Sequence, residues 1–187
     1  HRGRRKKKKG GIISTLILII AIAVFCVSGY QLYKIFGGYH QGKSEYDKVR
    51  EVAVHGDDKD EDEFVVDFDE LKKINADTVG WIRFYPEPSQ ISYPLVQTTD
   101  NDLYLNRTFS ANENTVGAIF VNCDNASDFS DRNTIIYGHR MRDHSMFHDL
   151  EKYKDESFWK ENPYFYIYTP DGRKLSCHIY SAGIVKD

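Results

Sequence analysis

Hydrophobic and polar positions fall into distinct regimes along the chain. From Ile12 to Tyr30, nineteen residues (IISTLILIIAIAVFCVSGY) carry no charge. About 20 apolar residues span a bilayer core, so this run predicts one membrane helix. Residues 31–43 contain Gly37, Gly38 and Gly42 and predict a juxtamembrane spacer. In residues 44–54 the apolar positions Tyr46, Val49, Val52 and Val54 follow Ser44, a candidate N-cap, and predict a short helix. The run Asp57–Glu63 (DDKDEDE) predicts a solvated acidic loop, because it lacks the alternating ligands and glycine of a calcium loop.

From Phe64 the pattern becomes globular. A short helix is expected through Leu71 and Ile74, with Asp69 as its cap. Short apolar runs at Val79–Tyr85, Ile91–Gln97, Thr115–Asn122 and Asn133–Tyr137 predict strands, with a polar loop at 123–132. Pro94 cannot donate to a ladder and argues for an edge position of its strand. Met146–Tyr153 and Glu156–Lys160 predict helices, the second capped by Asp155. YFYIYT and LSCHIYSAGIV flank Thr169-Pro170-Asp171-Gly172 and predict a hairpin, with Pro fixing φ and Gly supplying a left-handed position. Many short strands with a few short helices predict a mainly β (α+β) domain, barrel-like with peripheral helices.

Charge fixes the orientation of the apolar run. Seven of the 25 Lys and Arg residues lie in the first eleven positions, so the rest of the chain carries a net charge of −10. A basic tail alone would suggest nucleic acid, but the apolar run follows at once, and Lys/Arg on its N-terminal side hold that side in the cytoplasm. The expectation is a single-pass protein with its bulk outside the cell and no nucleic-acid partner. A cleaved signal peptide fits less well, because the run exceeds the usual 7–15 residues and Val27-Ser28-Gly29 is a poor cleavage site. Of the three cysteines, Cys26 lies in the apolar run; Cys123 and Cys177 are read as buried thiols acting as small hydrophobes rather than a disulfide. No zinc spacing, GxxxxGK[ST] or GxGxxG motif is present, and no cofactor is expected.

The most suggestive chemistry is in Asn133-Thr-Ile-Ile-Tyr-Gly-His-Arg-Met141. A histidine at a strand end beside a glycine is well placed for proton transfer, although a lone histidine is more often structural. His139, His144 and His148, with Asp143 and Asp149 among them, would suit a metal. The spacing is not HExxH, and His144 and His148 are expected to be solvated, so no metal site is assigned.

Four segments resemble class B sortases, the cell-wall transpeptidases of Gram-positive bacteria. They are Ile74–Ile82 (INADTVGWI), Tyr93–Phe109 (YPLVQTTDNDLYLNRTF), Gly117–Val121 (GAIFV) and Asn133–Phe147 around Tyr-Gly-His-Arg-Met. The resemblance implies a sortase β-barrel with N-terminal helices. It implies cleavage after the Thr of a C-terminal sorting motif on a secreted protein, through a cysteine thioester that an amine on a peptidoglycan precursor resolves. His139 falls on the family's catalytic histidine; Asn101, Leu105 and Tyr137 fall on positions lining the sorting-peptide groove. Taken alone, those three read as a turn Asn, a core Leu and a core Tyr. The family's Thr-Leu-Ser/Thr-Thr-Cys strand and its downstream Arg have no counterpart, and His144 and Cys123 depart from the usual residues. The expected organisation is a cytoplasmic tail (1–11), a membrane anchor (12–30), a linker (31–63) and an incomplete catalytic domain (64–187), inactive as it stands. The competing expectations are a membrane-anchored binding module without chemistry and a metal-dependent hydrolase.

Overall fold

The computed structural model describes residues 10–56, 60 and 63–185. The basic tail at 1–9, positions 57–59 and 61–62 of the acidic run, and residues 186–187 lie outside the described residues. The chain divides into two compact units, His1–Gly37 and Gly38–Asp187.

Helix α1 runs Gly10–Ala53. In the first unit its large apolar side chains, from Ile13 to Phe36, stand exposed. By length and composition this helix can cross a membrane. The expected spacer at 31–43 is helical instead. Isolated glycines in a helix cost only about 1 kcal/mol each, which the surrounding pattern absorbs. In the second unit Gly42 also serves packing, since a Cβ there would meet the Val116 side chain at 3.0 Å. Residues 44–53 continue α1 without a break, so Ser44 caps nothing. Tyr46, Val49 and Ala53 are buried in the core of this unit.

Two short strands, β1 (Val54–His55) and β2 (Val65–Val66), pair antiparallel. Helix α2 (Phe68–Ile74) follows, and its N-cap is Asp67 rather than Asp69: the Asp67 side chain accepts from the Glu70 N–H at 3.0 Å. Asp69 sits in the first turn, where a carboxylate favours the helix dipole but caps no amide.

The remaining strands are β3 (Thr78–Phe84), β4 (Ser92–Val96), β5 (Ile119–Val121), β6 (Ile136–Tyr137), β7 (Tyr164–Tyr168) and β8 (Lys174–His178). They form one mixed sheet in the order β6-β5-β4-β3-β7-β8. It curls into a half-barrel with short helices around it, the mainly β architecture expected. Pro94 is not on an edge strand: β4 lies between β3 and β5. The proline is tolerated because the parallel β5 ladder begins only at Leu95, leaving the missing N–H outside it. β5 is shorter than the apolar run that predicts it, since Gly117 adopts φ +65° and breaks extension just before the strand. Between β6 and β7 lie a 3₁₀ segment, His148–Lys154, in place of the expected α-helix, and helix α3 (Glu156–Glu161), capped by Asp155 as expected. The Thr169–Arg173 turn joins β7 and β8, with Gly172 at φ +82°. β8 ends at His178, well before the end of the apolar run, and residues 179–185 take no regular form.

The core is dense in aromatics. Trp81 is buried and its indole N–H donates to Ser92 Oγ at 3.0 Å. Arg83, also buried, lies over the rings of Phe64 (4.1 Å) and Tyr85 (4.5 Å). A guanidinium between two ring faces has its charge met by their quadrupoles.

Candidate active site

The parallel pairing of β4 with β5 requires a crossover, and residues 97–118 make it. Asp100 organises its start: Oδ1 accepts from the N–H groups of Asp102 and Leu103, both at 2.8 Å. Those bonds hold the Asp100 carboxyl below the ordinary aspartate range. They also set the 3₁₀ turn Leu103–Leu105, which ends with the Leu105 carbonyl facing β6.

His139 stands two residues beyond β6, half-buried. Its Nε2 donates to the Leu105 carbonyl at 2.6 Å. That bond assigns the ring's proton to Nε2, leaving Nδ1 as the nitrogen available for proton transfer. Two glycines make room for the ring. A Cβ on Gly117 would meet His139 Cδ2 at 2.8 Å and the Leu105 and Tyr104 carbonyls at 2.9 Å. A Cβ on Gly138 would meet the Phe147 ring at 2.6 Å. The Phe147 N–H in turn donates to the His139 carbonyl at 2.9 Å. The Gly117 carbonyl accepts from the buried Tyr46 hydroxyl at 2.8 Å, so α1 buttresses this corner.

Asn101 and Tyr137 attach to one segment just past β5. Asn101 Oδ1 accepts from the Cys123 N–H at 2.9 Å, and the Asn122 amide donates to the Tyr137 hydroxyl at 3.1 Å. Tyr137 is exposed and leans on Phe120, ring centroids 5.1 Å apart. Of the four residues singled out from the sequence, His139 and Leu105 are therefore in direct contact. Asn101 and Tyr137 are joined through Asn122 and Cys123. Sequence reasoning passed over Gly117 and Tyr46. A glycine between two apolar runs was the available signal for the first, and the helical periodicity of Tyr46 spoke only for burial.

The cysteines are free thiols, and Cys123 and Cys177 are half-buried rather than buried as expected. Burial pushes the Cys177 thiol up, away from the thiolate that nucleophilic attack needs. A hollow of about 880 Å³ lies over Ile82, Phe84 and Phe165, walled by Phe147 and Leu150; His139 does not line it, so hollow size does not locate this chemistry.

The other two histidines of the trio differ in exposure. His144 is exposed as expected, but His148 is buried, a correction to its solvated reading. The 3₁₀ segment turns its ring inward, where Nδ1 donates to the Met141 carbonyl.

No protein-family model matches the chain. It is 34% identical to sortase B of Listeria monocytogenes over 157 residues, which are 80% of this chain and 61% of that protein. It is 30% identical to sortase B of Staphylococcus aureus over 148 residues, 79% of this chain and 60% of that protein. The chain thus spans about three fifths of the length of these curated relatives. Among solved structures, sortase B from Bacillus anthracis superposes with a TM-score of 0.68 at 33% identity, covering 79% of this chain and 69% of that one.

Proposed function

We propose a reaction for this chain, which belongs to the class B sortases, a family of cysteine transpeptidases: it contributes the acid/base and peptide-binding half of a sorting-peptide transpeptidase. The observation that carries the reading is His139 held just past β6 by the Leu105 carbonyl, with Asn101 and Tyr137 both tied to the Asn122–Cys123 segment that follows β5.

In this reading a cysteine thiolate attacks the Thr carbonyl carbon of the sorting motif. The C–N bond breaks, the leaving amine takes a proton from His139 Nδ1, and a thioester forms. An amine on a peptidoglycan precursor then attacks the thioester, gives its proton to His139, and releases the thiolate. Leu105 and Tyr137 offer apolar and aromatic surface to the peptide, and Asn101 fixes the loop beside it. Burial disfavours the thiolate of Cys177, so Cys177 is not the nucleophile in this reading. Residues 12–30 anchor the protein, the basic tail 1–11 stays in the cytoplasm, and the unit from Gly38, whose core includes Tyr46, Val49 and Ala53, acts outside the cell on a secreted client.

The test uses the full-length gene product and a quenched sorting peptide. Cleavage is expected, with His139→Ala lowering kcat by at least about 100-fold, the lower end for a lost acid/base. Leu105→Ala and Tyr137→Ala are expected mainly to raise KM. Undiminished turnover in His139→Ala overturns the assignment. Peptide binding without turnover by the full-length product points instead to a binding module.

A further inference from the structure

Outside that site, the turn after Met141 brings together a second set of donors. The available ligand atoms of His144, His148 and Asp149 all lie within 4.8 Å of one another. His144 Nδ1 stands 3.3 Å from Asp149 Oδ1, and the two imidazole rings are 4.1 Å apart. Glu151 adds Oε1 at 3.3 Å from His148 Nε2.

Three features distinguish this cluster from a surface ion-pair network. First, His148 is only 6% exposed, and its Nδ1–H is spent on the Met141 carbonyl. That bond fixes the tautomer with the Nε2 lone pair free, the arrangement found for metal-binding histidines. Second, each carboxylate splits its oxygens. Asp149 gives Oδ2 to Lys152 at 2.8 Å and turns Oδ1 to His144; Glu151 gives Oε2 to Arg140 and Lys154 and turns Oε1 to His148. The neighbouring cations are thus matched on the outer oxygens, and the inner ones face the imidazoles. Third, His144 holds φ +66° and Met146 φ +56°, a left-handed backbone that L residues rarely adopt. Strain of this kind persists where surroundings fix it, and here it lays the His144 ring beside His148.

We infer that His144, His148 and Asp149, with Glu151 or water as a fourth ligand, form a site for a divalent transition-metal ion of the zinc class. Bonds of about 2.0–2.2 Å in a tetrahedron put ligand atoms about 3.3 Å apart. The two closest pairs already match that spacing, and the ligand atoms of His144, His148 and Asp149 all lie within 4.8 Å, so small side-chain shifts complete the tetrahedron. Two imidazoles and a carboxylate suit Zn²⁺ better than Ca²⁺ or Mg²⁺, which take oxygen ligands. The ion would staple the turn Met141–Phe147 to the 3₁₀ segment. The inference does not depend on any role for His139.

The test uses the 187-residue chain, without a histidine tag, in detergent. After chelation it is equilibrated with Zn²⁺ and the bound metal measured; Co²⁺ absorption then reports ligand geometry. One ion per chain is expected, with a tetrahedral Co²⁺ spectrum. His144→Ala, at an exposed position that leaves the core intact, should weaken binding at least about tenfold, and Asp149→Asn likewise. Near-UV circular dichroism verifies that the variants stay folded. Absence of stoichiometric Zn²⁺ overturns the inference, and so does binding of equal affinity in wild type and both folded variants.

Discussion

The space left by Gly117 is a tight constraint on the His139 corner. Its φ of +65° is costly for any L side chain, and the first atom of such a side chain would strike His139 and two carbonyls. Gly117→Ala should therefore lower stability by about 1–3 kcal/mol, read as a shift in the urea midpoint, and displace the His139 ring. Tyr46 acts from the other side, accepting from the Phe109 N–H at 3.2 Å and donating to the Gly117 carbonyl. Burial pushes its phenol far above the usual range, so the hydroxyl stays neutral and keeps donating. Tyr46→Phe leaves both groups without that partner and should cost about 1–3 kcal/mol by the same measurement. At this scale the sequence was readable where a motif names a residue, as with His139. It was silent on the Leu105 carbonyl that holds the ring, because that contact is created by a 34-residue separation in the chain.

At the scale of elements, periodicity located the strands and missed their order. Pro94 suggested an edge because local rules see only its absent N–H; the tertiary register places that gap where no partner strand runs. The glycines of 31–43 suggested a spacer, and helix continuity overrode them. The same helix carries Glu45, whose carboxylate accepts from the Ser110 N–H at 2.9 Å and the Asn112 amide at 3.1 Å. Burial alone would raise this carboxyl, yet hydrogen bonds from Thr108, Ser110 and Asn112 outweigh it and hold its pKa below the ordinary value. A depressed carboxyl stabilises the fold above its unfolded pKa of about 4.3, and that contribution is lost as pH falls through the lower folded value. Glu45→Gln should thus flatten the acid limb of the stability curve below about pH 4.5. Thermal midpoints at stepped pH give the comparison, and an unchanged limb would rule out this carboxylate as a contributor.

For the whole molecule, the informative boundary is where packing begins. Tyr46, Val49 and Ala53 are buried with Leu71, Trp81 and Ile119 in one core, upstream of the Phe64 at which globular patterning starts in the sequence. Burying a Tyr or Val contributes about 1.5–3 kcal/mol, so losing this helical face removes a large part of a typical 5–15 kcal/mol stability. A chain starting at Gly38 should keep the melting midpoint of the longer protein, whereas one starting at Phe64 should melt far lower or not fold. Equal midpoints for the two would show that the helix is dispensable. The mainly β class was legible because short apolar runs and turn residues are local signals. The extent of the core was not, because a three-residue helical stripe resembles a linker until the surface it covers is known.

That stripe also fixes an order of events during synthesis. Its partners lie far down the chain: Asn114 bonds to Gly38 across 76 residues, Gly117 to Tyr46 across 71, and Ser110 to Glu45 across 65. A ribosome makes the helix several seconds before those partners exist, at about 5–20 residues per second. Over that interval Tyr46, Val49 and Ala53 have nothing to cover them, and the corner that holds His139 cannot be assembled until the crossover strand has emerged.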